Sequence, residues 1–127
     1  MAVTHSTTMR NTLAGAITTA LGATANLRFR LSGTVGSPGT VVATLPMSAT
    51  PFGAASGGTI TANAITSDTN ATGNASPVAN ATLDAGSTVV VHCAVAASAS
   101  DINMTGGLTI GAGDTVSCSS LTYTAPA

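Results

Sequence analysis

The chain contains no Lys, no Glu and no Trp, and charged residues make up only 6% of its 127 positions. An ordinary soluble domain carries about 25%. Three Arg face four Asp, for a formal net charge of −1. Nucleic-acid binding needs clustered cations to neutralise phosphates, and a polybasic membrane-surface protein needs them beside lipid headgroups, so the composition argues against both classes. The only aromatics are Phe29, Phe52 and Tyr123, which leaves almost nothing to stack on bases or sugars. Two His, two Cys and four Asp are a poor set from which to build acids, bases, nucleophiles or metal ligands, so neither an enzyme nor a cofactor is expected. No apolar run approaches the ~20 residues that span a bilayer. The opening Met1-Ala2-Val3-Thr4-His5-Ser6 has neither a basic nor an apolar region of the secretory type, so no signal peptide is expected.

The length suits one domain. Apolar residues reach 44%, but 24 of them are Ala, while Leu, Ile, Val and Phe together number 25. A chain of this kind can fold, with a thin core of its own. Its near-neutral surface offers little repulsion between copies, so self-association as a homodimer or homotrimer is expected. Cys93 and Cys118 stand 25 apart with no C-x-x-C spacing. Free buried thiols fit a chain made in a reducing cytosol, and a disulfide stays open if their strands adjoin. The sequons at Asn70, Asn74, Asn80 and Asn103 read as chance in a chain so rich in Asn and Thr.

Residues 1–6 form an N-terminal arm and 7–127 a single domain that begins with a helix over 7–21. Met9, Leu13, Ile17 and Leu21 step by four, with Ala16 and Ala20 beside them, as one apolar stripe. Ser6 or Thr7 can cap the start, and Gly22 lies where a glycine ends a helix. From residue 25 the period becomes two. Leu27, Phe29 and Leu31 alternate with Arg28 and Arg30, a half-buried strand with a cationic outer face. After a Gly/Pro loop over 32–40, Val41 to Met47 is a second strand, and Pro46 marks it as an edge or a strand end. Further strands are expected at 59–64, 78–83, 88–95, 101–104, 108–110 and 115–124, the last with a β-bulge near Ser119-Ser120. Val89, Val91, Cys93 and Val95 are expected to share one face. Residues 66–77 read as a polar loop. One helix followed by many short strands points to a mainly β fold, an antiparallel β-sandwich of the jelly-roll kind.

Among chemistry-bearing residues, His92 reads as a packed structural histidine, because Cys93 points to the opposite strand face and no Cys–His dyad can form. His5 sits in the arm without a motif. Asp84 and Asp114 read as turn residues that accept backbone N–H bonds. Asp68 lies in a stretch that evokes a calcium loop, but it has one carboxylate and no closing Glu. Gly33 to Gly39 lacks the Lys and the following helix of a P-loop. Arg28 and Arg30 are the sharper pair. They read as a solvated face or as an anchor on an acidic protein partner, since an Arg fork meets carboxylates in bidentate geometry. Arg10, beside the helix stripe, joins them as a candidate partner-binding residue.

The segments TTMRNTLAGAITTALG, LRFRLSG, GTVVATLPMSATPFGAASGGTITANAITSD and DINMTGGLTIGAGDTVSCSSLTYT follow in order over roughly residues 7–124. In this order and spacing the chain resembles the small head decoration, or cement, proteins of tailed bacteriophages, usually encoded beside the major capsid protein. Residues 70–100 depart from that pattern. The resemblance implies a jelly-roll-like sandwich that binds the outer surface of an icosahedral shell and bridges major capsid protein subunits. It carries no catalytic residues. The expected location is the outer capsid surface of the virion, after synthesis in the bacterial host cytoplasm. Another virion β-module (tail, fibre or host-surface-binding domain) is the alternative.

Overall fold

The computed structural model describes residues 3–127; residues 1 and 2 of the expected arm lie outside this range. Helix α1 spans Thr7–Leu21, the bounds expected from its caps. Ser6 is extended, and its Oγ accepts the Met9 N–H at 3.1 Å. One of the unpaired donors of the first turn is thereby satisfied. Gly22, at φ +67°, donates its N–H to the Thr18 carbonyl and ends the helix; a Cβ is disfavoured at that φ.

The inward face of α1 differs from the expected stripe. Ala14 and Leu21 are buried, while Ala16 and Ala20 are exposed and Met9 is 44% exposed. A row of four-residue steps winds about 40° round the helix at each step. From the docked Leu21 back to Met9 it has left the interface, and Arg10 and Ala14 take its place.

A short 3-10 turn leads into seven strands: β1 (Ala25–Arg30), β2 (Val41–Pro46), β3 (Thr59–Thr61), β4 (Asn80–Ala85), β5 (Thr88–Ala96), β6 (Ile102–Asn103) and β7 (Thr122–Thr124). Five of them form a curled sheet in the order β2-β1-β4-β5-β6, and β3 pairs with β7 in a second sheet. The protein is thus mainly β with one N-terminal helix. β2 is an edge strand that ends at Pro46, as its missing donor dictates. β4 and β5 are joined by Gly86-Ser87, with Gly86 at φ +62°, a conformation that tight hairpins require.

Period-two alternation sorts the sheet into two faces. Leu45, Leu27, Leu83 and Val91 stand side by side on one, with Ala43, Phe29, Ala81 and Cys93 in the next row. This face joins Ala14, Leu21, Phe52, Ile60 and Ile110 in one core cluster. Fully burying a Leu or Phe stabilises by about 1.5–3 kcal/mol, and the many Ala contribute far less. On the other face Arg28 stands between Thr44 and Thr82, with His92 next in the row.

Several expectations need correction. β5 and β6 pair in parallel, so the arrangement is not wholly antiparallel. The connection between them is far shorter than the dozen or more residues that parallel pairs usually need. The pairing is accordingly two residues long, and Ala99 in the intervening loop takes φ +55°. The register slips opposite Leu83 and Asp84, where Val90 is extra. Val89 therefore stands beside Asp84, away from the core-facing Val91, because a bulge reverses parity. His92 is exposed, not packed. Residues 108–110 and 115–121 form no regular strand, so the change of phase near Ser119-Ser120 is a break in the strand, not a bulge.

The polar stretch 66–77 is not a free loop. Asp68 exchanges two backbone hydrogen bonds with Val116, Ala71 N–H donates to Asp114 O, Asn74 N–H to Ile110 O, and Val78 N–H to Leu108 O. With β3–β7, residues 59–78 thus run antiparallel to 108–124 as one long irregular ribbon. Gly73, at φ +67°, permits the close crossing, because a Cβ there would run into the Gly111 carbonyl carbon. The ribbon borders β2 through Thr66 N–H to Pro46 O and Gly73 N–H to Val42 O.

Candidate functional site

The two sheet arginines share a strand face, as the alternation requires, but that face is not solvated. The Arg30 side chain is 7% exposed and that of Arg28 20%. Both reach the same carboxylate oxygen, Asp84 Oδ2, at 2.9 Å from Arg30 and 2.7 Å from Arg28. Arg30 also donates to Thr82 Oγ1 at 3.0 Å and to the Gly39 carbonyl at 2.7 Å, and Arg28 to the Gly86 carbonyl at 2.6 Å. A charge taken from water needs this density of partners. The pair therefore anchors the β1–β4 seam and the 32–40 loop, correcting the solvated-face reading.

Asp84 is the residue that the sequence reading misplaced. It lies inside β4 and is fully buried, with the hairpin turn beginning only after Ala85. A signal was present: Asn80, Thr82 and Asp84 alternate at period two, matching the polar positions Arg28 and Arg30 of β1. Arg10 is also engaged. Its guanidinium lies over Gly58, where a Cβ would approach Cζ to 2.8 Å, and it donates to the Ala125 carbonyl at 3.4 Å. Beside it Asn11 Oδ1 accepts the Gly58 N–H at 2.7 Å. These bonds dock the first turn of α1 on the turn before β3 and on the end of the chain.

The remaining carboxylates cap backbone. Asp114 accepts the Gly111 N–H at 2.8 Å, in the turn expected for it. Asp68 accepts those of Thr44 and Asn70, and Asp101 accepts that of Ala94. All seven charged side chains are thus bonded within the fold. The exposed surface is dominated by short, uncharged side chains, chiefly Thr, Ser, Ala and Asn, with Asp101 and Asp114 as its exposed charges.

One cleft, of about 620 Å³, opens between β6 and residues 114–122. Phe29 lies at its base, and its lining is mostly Thr, Ser, Gly and half-buried apolar side chains. Among the described residues, the backbone N–H groups of 117–120 have no backbone partner. The Cys118 thiol lines this cleft, whereas Cys93 faces the core; both are free and half-buried. Burial, and then the nearby Asp101 charge, push the Cys93 thiol up to about 11. Burial also raises that of Cys118, opposed by its hydrogen bond to the Ser120 carbonyl. Neither is an activated nucleophile. Among the described residues no group of three or more His, Cys, Asp or Glu could hold a metal ion, and no helix is long and apolar enough to cross a membrane.

No family model matches the chain, and neither does any curated protein or solved structure.

Proposed function

We propose that this protein is a structural virion component, a decoration or cement protein that binds the outer surface of a bacteriophage shell and bridges major capsid protein subunits. The supporting observation is the disposition of charge: every Arg and Asp is held by partners inside the fold. A surface made mostly of short uncharged side chains can be laid against a neighbouring subunit with little desolvation cost. A thin-cored domain also gains stability from any partner that binds only its folded form. Each copy contacting two neighbours adds avidity, so modest contacts repeated over the shell oppose its expansion. In this reading the curled sheet and the 59–78/108–124 ribbon are the two layers of a jelly-roll-like sandwich, and copies associate as dimers or trimers.

The experiment is co-sedimentation of the purified protein with empty phage heads that lack it. Saturable binding at a fixed ratio to the major capsid protein is the expected result, and that ratio identifies the symmetry position. Binding to tails or host cells instead of heads would replace this reading with that of a tail, fibre or host-binding module.

A further inference from the structure

We propose that the cleft between β6 and residues 117–120 is a slot that accepts one β-strand, and that its occupant is an extended, basic segment of a different protein. The proposal deepens the cement reading in naming the shell protein as the first source of that segment. β6 is the last strand of its sheet and is bonded to β5 on one side only. Residues 117–120 have no backbone partner. Both segments line the same cleft. A strand entering it would lie along the free edge of β6, as peptides are recruited to exposed sheet edges, with the unbonded backbone of 117–120 across the cleft.

The floor fits a strand as well. Ile102, Met104, Val116 and Leu121 are half-buried apolar side chains packed against the core, and all line the cleft. A strand presents every second side chain to one face, so an alternating segment would cover this floor and turn its polar residues outward. Charge selects the occupant. Asp101 and Asp114 line the cleft, and no Arg does. Among the described residues a second copy of this chain offers no free Arg as the complement: Arg10 is in α1 and donates to the Ala125 carbonyl, and Arg28 and Arg30 are tied to Asp84.

The test uses the full chain and amide hydrogen exchange. The probes are an alternating valine–threonine heptapeptide with a central lysine and the same peptide with glutamate. The lysine peptide is expected to slow exchange at 102–104 and 117–120 and to bind about tenfold more tightly than the glutamate peptide at low salt. Ser120→Trp should abolish that protection with Tm unchanged, while Val35→Trp, outside the cleft, leaves it intact. If Ser120→Trp fails to fold, the pair Asp101→Asn and Asp114→Asn serves instead. It keeps acceptors for the backbone caps and should lower affinity for the lysine peptide about fivefold. No protection by either peptide overturns the slot, and equal protection by both overturns the basic occupant. On phage heads the same amides should be protected. Heads bound with those amides still exchanging overturn the slot and leave the cement reading standing. Lysine-peptide protection without head binding does the reverse.

Discussion

Asp84 ties β4 to β1 through two arginines. It receives two guanidinium groups on one oxygen, and it is fully buried. Asp84→Asn removes the negative charge and leaves Arg30 buried without its counter-ion, so we expect a loss of about 3–5 kcal/mol in urea unfolding. A loss below about 1 kcal/mol would show that the cluster is not held as described. The thiol of Cys93 gives a pH signature. Its ordinary value is 9.0, and burial raises it to about 11. Between these values the folded chain keeps a proton that the unfolded chain has lost, so stability falls as pH rises through this window. Below 9 both states hold the proton and the slope vanishes. Cys93→Ala should flatten the decline, as measured by unfolding midpoints across that range.

At the scale of elements, the docking of α1 rests on a contact that only glycine permits. Gly58 has φ +80° and lies under the Arg10 guanidinium. Gly58→Ala should cost about 1–3 kcal/mol through strain and displacement of Arg10. The expected readout is faster amide exchange in α1 and β3 with the curled sheet still protected. The β5–β6 connection offers the opposite case. Ala99 holds φ +55°, which costs a non-glycine residue about 1 kcal/mol, so Ala99→Gly should raise the unfolding midpoint. An unchanged or lower midpoint would mean that the gain in chain entropy on unfolding outweighs the relief. The helix and β1 were legible because their signals are local: the Ser6 cap, the Gly22 stop, and the alternation of Leu27 and Phe29 with two Arg. The ribbon of 59–78 with 108–124 was not, because its polar, irregular segments gain their order from backbone bonds to each other and not from a periodic pattern.

For the whole molecule, few large apolar side chains support the core, and partners should matter correspondingly to stability. Binding to the folded form alone contributes about 2.7 kcal/mol when free partner stands at a hundred times Kd. We therefore expect the unfolding temperature of the protein on phage heads to exceed that of the free protein, and a mixture of unbound protein and heads to melt in two steps. A single transition at the free-protein temperature would argue against a cementing role. The candidate site was legible only in part. Arg28 and Arg30 stood out as a pair, but the cleft was invisible, since it lies between the free edge of β6 and an irregular segment that only the fold brings beside it.

The amino-acid sequence by itself determined the mainly β class, the bounds of α1, the start of β1, the edge role of β2 at Pro46 and the opposite faces of His92 and Cys93. Each follows from rules that act within a few residues: capping, period, and the missing donor of proline. The tertiary structure alone decided which face of α1 docks, that Asp84 lies in a strand beneath two arginines, and that parity reverses at Val90. It also decided that residues 68–78 pair with 108–116. These depend on which distant segments meet; Arg30 and Asp84 are 54 positions apart. Burial turns such a meeting into a requirement, because a charge or a backbone amide removed from water must find its partner wherever the chain brings one.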